Sequence, residues 1–448
     1  METAGVGRDL MKKVRSMIVI VCVCLLLFSQ LVLSEEGLKK KAETFLMHLK
    51  NEEFERAFDQ FNDEMKKAMP PKKLEKTWNE VVFKLGELHS LGESGLLEEG
   101  GYQIVLQTCD FEKGRIDVKI VFDEEGEIAG LWFLPHLESH PYECPEYANK
   151  DLFRERELIF GVEGWELPGN LTVPKKGKNL PVVVLVHGSG PNDRDETLGP
   201  NKPFKDLAYG LSSRGIAVFR YDKRTKVYPN KIDVFNLTVE QETIEDALAA
   251  IDFVRATDGI DENRVFLLGH SLGGQLVPEI GGRDGKLSGV VVMAGSARPL
   301  EEAILEQIEY IAKLDGKITK DEEREIERIR KQVRLIKEHK VGEEELVLGV
   351  PGRYWYDLQK RDPIKSALAL NCPMLVLQGK RDYQVTWEDY NLWKEGLSAK
   401  KGVAFRLYSD LNHLFMGGEG RPTPEEYSIP NHVDERVIND LAGWILSN

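Results

Sequence analysis

The sequence predicts two domains: a small α+β unit, followed by a larger α/β unit whose mostly parallel central sheet carries helices on both faces. Three observations carry that expectation. The chain has 448 residues, more than one ordinary domain needs. Its hydrophobic rhythm begins at helical spacing and then turns to alternation, the order of an α+β domain. Further along, short unbroken apolar runs alternate with segments of helical spacing, the pattern of strands buried on both sides.

Residues 1–34 differ in character from the rest of the chain. Lys12, Lys13 and Arg15 precede an unbroken apolar run over 17–28, and Val32, Leu33 and Ser34 then lead into Glu35 and Glu36. A positive start, an apolar middle and modest residues at the end are the pattern of an export signal. The run is at the short end for a spanning helix, so an uncleaved N-terminal anchor is the alternative. Either way the chain is expected to be exported, secreted or held on the outer face of the cell membrane by this segment alone.

Residues 35–140 form the expected α+β domain. Leu38, Ala42, Phe45, Leu46 and Leu49 recur at helical spacing, as do Phe54, Ala57, Phe58 and Phe61. Pro70 and Pro71 break the run, and a further helix is expected from about Leu74. Alternating segments come next at 102–106, 116–122 and 128–133, with Gly100-Gly101, Gly114 and Gly126 as turns. This pattern resembles the small cone-shaped, cystatin-like domains fused to exported enzymes, and it holds no catalytic cluster. Pro135, Pro141 and Pro145 lie among polar residues, and the linker is placed at 141–152.

Residues 153–448 carry the α/β pattern. Apolar runs at 182–186, 216–219, 265–268, 290–293 and 374–377 read as strands, with helical spacing at 238–256 and 272–280. Long, highly charged amphipathic segments at about 300–362 interrupt that rhythm and are expected to form a cap. The crowding of Lys, Glu and Arg at 317–346 fits the ion-pair networks of a heat-adapted protein.

Composition narrows the function. The formal charge of −15 argues against a nucleic-acid partner, which would need a basic footprint. Without residues 1–34, three cysteines remain: Cys109, Cys144 and Cys372. An odd number makes no complete disulfide framework, although Cys109 and Cys144 have the option of pairing in an oxidising compartment. None has the neighbours of a catalytic thiolate or a zinc site.

The chemistry is carried by Gly269-His270-Ser271-Leu272-Gly273-Gly274, which follows the 265–268 run and opens a helix. This is G-x-S-x-G in the strand–turn–helix setting the motif requires. Such a turn strains the serine and raises its hydroxyl above the sheet, and the flanking glycines avoid clashes a Cβ would make. Ser271 is therefore the candidate nucleophile, and the Leu272 amide is a candidate oxyanion donor. His270 is expected to point away and pack. A second donor is expected from the loop His187-Gly188-Ser189-Gly190-Pro191, at the Ser189 amide.

A nucleophilic serine needs a base and the base an orienting acid, which come in the order serine, acid, histidine. His339, His413 and His432 lie downstream of Ser271. His413 follows the apolar segment 403–408 in the expected loop position, whereas His339 falls in the cap and His432 before the last helical pattern. Asp382, just past the 374–377 run, is the expected acid. Asp389 is the alternative, in a helical pattern and expected to be solvated, and Asp410 is too near His413 in sequence.

The segments His187-Gly-Ser-Gly-Pro-Asn-Asp-Arg-Asp-Glu, Arg220-Tyr-Asp-Lys-Arg, Gly269-His-Ser-Leu-Gly-Gly and Asn412-His-Leu-Phe together resemble bacterial carboxylesterases of the EstD type, over roughly residues 150–448. The resemblance implies an α/β-hydrolase fold with a companion domain before it. It also implies hydrolysis of short-chain acyl esters, small-molecule substrates, through an acyl-enzyme without metal or cofactor. Carried over, Ser271 is the nucleophile, Asp382 the acid and His413 the base. Arg194, Asp195, Arg220, Asp222 and Arg224 either bind a polar part of the substrate or brace loops. Tyr354, Trp355 and Tyr356 either line an acyl pocket or pack the cap. Two rivals stand beside the esterase: a peptidase or amidase with the same triad, and a non-catalytic binding protein on a hydrolase scaffold.

Overall fold

The computed structural model describes residues 35–99, 102–136 and 142–448. The segment 1–34 expected to direct export, the turn expected at Gly100-Gly101, and residues 137–141 near the expected domain junction lie outside those residues. The chain divides into two compact units, Met1–Glu138 and Ser139–Asn448. Among the described residues, no helix is long and apolar enough to cross a membrane.

In the first unit, helices Glu35–Lys50, Phe54–Asp59, Asp63–Ala68 and Pro71–Leu85 precede four strands. These are β1 (Leu88–Glu99), β2 (Tyr102–Phe111), β3 (Gly114–Phe122) and β4 (Ile128–Pro135), an antiparallel meander in chain order. The helical stripe of Leu38, Phe45 and Leu49 packs with Val105, Val118 and Ile120 in one core. Strand β1 has no counterpart in the sequence reading. Gly92 and Gly95 interrupt its alternation, and its register shifts against β2 at two places.

The second unit is built on an eight-stranded sheet. Its strands are β5 (Phe153–Val162), β6 (Trp165–Pro174), β7 (Leu180–Val186), β8 (Ala217–Tyr221), β9 (Ile260–His270), β10 (Gly289–Met293), β13 (Met374–Gly379) and β14 (Val403–Tyr408). The order is β14-β13-β10-β9-β7-β8-β6-β5. From β8 to β14 neighbours run parallel, and β6 and β5 add an antiparallel edge. Strand β5 was hidden from the apolar-run criterion because Arg154, Glu155, Arg156 and Glu157 are exposed, a charged edge that resists further pairing.

Central β7 is buried along its whole length. Val182, Val184 and Val186 pack with helices Glu245–Arg255 and Leu272–Asp284, while Val183 and Leu185 pack with Pro203–Ser212 and Glu435–Ser447. The alternation of strand side chains therefore feeds two cores, one on each face. Between β10 and β13 the chain leaves the sheet through helices Leu300–Ala312, Lys320–Lys337, Gly352–Gln359 and Pro363–Ala369, with a short hairpin of β11 (Leu346–Val347) and β12 (Val350–Pro351). The longest of these helices begins with a capping box between Thr319 and Glu322.

Residues 142–152 lie along the second unit. The Tyr142 hydroxyl donates to Asp206 at 2.8 Å, and the Asn149 amide donates to the Ser213 hydroxyl at 2.9 Å. Cys109, Cys144 and Cys372 are free thiols. Cys109 belongs to the first unit and Cys144 to the second.

Candidate active site

Ser271 stands between the end of β9 and the helix Leu272–Asp284. Its φ of 55° is a left-handed value that costs a non-glycine residue energy, and its amide donates to the Met293 carbonyl at 3.0 Å. Crowding enforces the turn. A Cβ on Gly269 would lie 2.3 Å from the Gly273 carbonyl, and one on Gly273 would lie 2.3 Å from the Val186 oxygen at the end of β7. Both flanking glycines are thus required by close backbone approach, as the motif implied. Ser271 is half-buried and lies on the wall of a cavity of about 500 Å³ with Ser189, Leu272, Trp355 and Val385.

The ends of β13 and β14 bring the next two residues together. His413 Nδ1 lies 2.7 Å from Asp382 Oδ2, with both side chains buried. Among the described residues, the carboxylate's other hydrogen-bond partners are all donors: Gln384 N at 2.8 Å and Val385 N at 3.0 Å on Oδ1, and Gln378 Nε2 at 3.1 Å on Oδ2. Such a cradle stabilises a negative charge in a dry site. The His413 loop is held by Asn412, whose side-chain oxygen accepts from the Leu414 and Met416 amides at 3.1 Å each.

His270 does more than the packing expected of it. Its Nε2 is 2.9 Å from the His413 carbonyl oxygen, its Nδ1 is 2.9 Å from Glu196 Oε2, and its ring centroid is 4.6 Å from that of His413. Glu196 Oε1 accepts the Gly188 amide at 2.6 Å, so one buried pair ties the 187–191 loop to the His413 loop. Burial disfavours charge on both groups, yet each compensates the other. The net effect holds Glu196 below its ordinary pKa, helped by the Gly188 amide, and His270 above its own. At the neighbouring His187 burial outweighs the attraction of Glu196. Burial pushes it down to about 4, and its neutral ring packs against Phe204 and Tyr221.

The charged residues after the loop act as braces. Arg194 makes a two-pronged bond to Asp222 at 2.9 and 2.8 Å and reaches Asn170 at 2.6 Å. Arg220 is almost fully buried between Asp195, at 2.6 Å, and Glu155. Arg224 grips Asp246 at 2.6 and 3.0 Å. Among the described residues, none of the five charges singled out in sequence lines the cavity. Trp355 does line it and donates its indole N–H to the Val347 carbonyl at 2.8 Å. Tyr354 also lines it, whereas Tyr356 turns to Val341. Asp389, expected to be solvated, is fully buried. It accepts from the Ser296 hydroxyl at 3.0 Å and from the Arg298 guanidinium at 2.8 Å, which fixes the root of the cap.

Sequence reasoning passed over Glu196, Lys223 and Glu242. Glu196 and Lys223 lie inside the segments that carried the resemblance, but only contact geometry separates them from neighbouring charges. Lys223 Nζ donates to the Gly188 carbonyl and to Glu242 Oε1, both at 2.8 Å. No group of His, Cys, Asp and Glu among the described residues is arranged to hold a metal ion.

Residues 178–419 match the family described as serine aminopeptidase, S33. Residues 42–131 match a family described as a protein of unknown function (DUF3887). Esterase EstD of Thermotoga maritima is 42% identical over 407 residues, 91% of this chain and 95% of that relative. Among solved structures, Est1E from Butyrivibrio proteoclasticus aligns at 14% identity over 65% of this chain and 98% of its own, with a TM-score of 0.42. The Pyrobaculum calidifontis esterase aligns at 17% identity over 66% and 85%, with a TM-score of 0.43.

Proposed function

This chain belongs to the serine aminopeptidase S33 family of hydrolases and is an ester hydrolase related to EstD; on that premise we propose that it cleaves short-chain acyl esters through an acyl-enzyme formed on Ser271. His413 Nε2 takes the Ser271 proton as the hydroxyl attacks the ester carbonyl, and Asp382 holds the imidazole in the required tautomer and stabilises the imidazolium. The Leu272 and Ser189 amides receive the oxyanion of the tetrahedral intermediate. As it collapses, His413 gives the proton to the leaving alcohol. Water, activated by the same histidine, then releases the acid and restores the serine.

The observation that carries this reading is the 2.7 Å contact between His413 and a fully donor-lined Asp382, with strained Ser271 on the wall of a largely apolar cavity. Removing one oxyanion donor in such a site costs about 3 kcal/mol, on the order of 10²–10³ in rate. The test is hydrolysis of p-nitrophenyl esters across acyl lengths by the wild-type chain and by Ser271→Ala. Activity greatest on short acyl chains and abolished by the substitution is expected. Activity that survives the substitution removes Ser271 as nucleophile.

The family description supports a second reading, an amidase or peptidase with the same residues. Turnover of an ester and of its matched anilide separates the two, because only an amidase protonates the poorer leaving group fast enough to cleave both. Export is proposed on residues 1–34 alone. Its measurement is the N-terminal residue of the chain recovered from outside the cytoplasm.

A further inference from the structure

The buried cation beside the 187–191 loop acts on one peptide bond. Gly188 is clamped from both sides: its amide donates to Glu196 at 2.6 Å, and its carbonyl accepts from Lys223 Nζ at 2.8 Å and Asn192 Nδ2 at 3.2 Å. That carbonyl and the Ser189 N–H belong to the same planar peptide unit. In a trans peptide the two point in opposite directions, so a donor fixed on the oxygen fixes the direction of the N–H. A Cβ on Gly188 would lie 3.0 Å from Ser271 Cβ and 3.5 Å from its Oγ, so this peptide passes directly beside the reacting hydroxyl.

Lys223 is 2% exposed, and a lysine so deeply buried requires compensation. Glu242 supplies it at 2.8 Å, and the other Glu242 oxygen accepts the Tyr354 hydroxyl at 2.5 Å. Glu242 stands on a π-helical turn, Glu240–Ile244, a departure from α-helix that often marks a functional position. Glu242 and Tyr354 both line the Ser271 cavity, and Tyr354 belongs to the cap helix Gly352–Gln359. The chain of contacts thus runs from the cap, through a carboxylate and an ammonium, to the peptide that presents the Ser189 amide.

We propose that Lys223 is a positioning residue for the oxyanion site: it aims the Ser189 N–H and, by polarising the Gly188 carbonyl, strengthens that N–H as a donor. The inference rests on the serine-esterase reading above. A hydrogen bond on a carbonyl oxygen increases the dipole of the whole amide, and bonds in such chains reinforce one another in a low-dielectric interior. The gain is greatest when negative charge develops on the substrate oxygen, so it appears in the transition state rather than in substrate binding.

The test compares the full-length wild-type chain with Lys223→Met and Lys223→Arg on a p-nitrophenyl ester. It also measures inhibition by a trifluoromethyl ketone, which forms a tetrahedral adduct with the serine, and by the matching methyl ketone, a ground-state control. Lys223→Met is expected to lower kcat by about 10- to 100-fold, less than the loss of a whole donor, with KM changed by no more than about twofold. Trifluoromethyl ketone affinity falls by the same factor and methyl ketone affinity does not, while Lys223→Arg recovers part of the loss.

If Lys223→Met does not fold, Lys223→Met/Glu242→Leu removes both charges together, a change that buried pairs tolerate far better than loss of one partner. The same fall in the affinity ratio of the two ketones is then expected. A folded variant with unchanged kcat and an unchanged ratio overturns the role of Lys223. So does a variant in which both ketones weaken equally, since that reports general damage to the cavity. A wild-type chain that neither hydrolyses the ester nor forms a Ser271 adduct overturns the esterase reading, and this inference with it.

Discussion

Gly273 shows how one residue carries a whole motif. It is the place where the elbow touches the end of β7, and a Cβ there would meet the Val186 oxygen at 2.3 Å. A backbone atom has no rotamer through which to yield, so Gly273→Ala must displace the Ser271 turn. The expected cost is about 3 kcal/mol, at the upper end for overpacked interiors, with esterase activity lost before the fold. Urea denaturation beside ester turnover measures the two separately. His270 and Glu196 give a prediction in pH. Glu196 is held below its ordinary value of 4.5 and His270 above its ordinary value of 6.5. The Glu196 contribution is whole above 4.5 and is lost as pH falls through the lowered folded-state pKa. The His270 contribution is whole below 6.5 and is lost as pH rises through the raised one. Both are present together between those values. The stability difference between wild type and His270→Phe is therefore expected to peak there, at about 3–5 kcal/mol for a broken buried pair, and to shrink on either side. Denaturation midpoints at a series of pH values read this directly, and a difference that does not vary with pH would mean that the pair is uncharged.

At the scale of elements, the root of the cap is fastened to the helix Trp387–Gly396 by a partly buried ion pair rather than by apolar contact alone. Arg298, at the root of the cap, bonds Asp389 on the helix Trp387–Gly396, and the same carboxylate accepts the Ala297 amide at 3.0 Å. Asp389→Ala leaves the guanidinium and two backbone donors facing an empty acceptor. A loss of about 1–3 kcal/mol is expected, with KM rising more than kcat falls because the cap forms much of the cavity wall. Equal stability of the two proteins by thermal unfolding would show that water replaces the carboxylate without cost. The sequence placed Asp389 correctly on a helix but on its solvated side. Its partners lie about 90 positions away, and periodicity holds no record of them. Edge strand β5 escaped for a related reason. An edge strand faces water, so its composition resembles that of a loop.

Across the whole molecule, the two units have separate interiors. One core joins the helices of the first unit to its meander, and two others lie on the opposite faces of the large sheet. Each unit therefore satisfies the main condition for folding alone. Residues 139–448 expressed by themselves are expected to fold and to turn over p-nitrophenyl acetate as the full chain does, and calorimetry of the full chain is expected to show two transitions. A single shared transition, or an insoluble fragment, would show that the units depend on each other for stability.

What the sequence determined alone was whatever depends on neighbours in the chain. The alternation of apolar runs and amphipathic segments dictated the layered α/β fold, because each strand or helix buries the face its own period exposes. Gly269-His270-Ser271-Leu272-Gly273 was legible as an elbow because the constraint acts within five residues. Asp382 and His413 could be singled out by their order after strand ends, before any distance was known. Tertiary structure alone decided which charges near that elbow take part in its architecture. Nothing in the sequence alone sets Glu196, Lys223 and Glu242 apart from their charged neighbours Asp195, Arg224 and Glu245. They differ in what burial brings to them: a backbone amide for Glu196, a backbone carbonyl for Lys223, and the hydroxyl of a distant tyrosine for Glu242. Removing a polar group from water compels it to find a partner, and that partner is chosen by the folded geometry rather than by proximity along the chain.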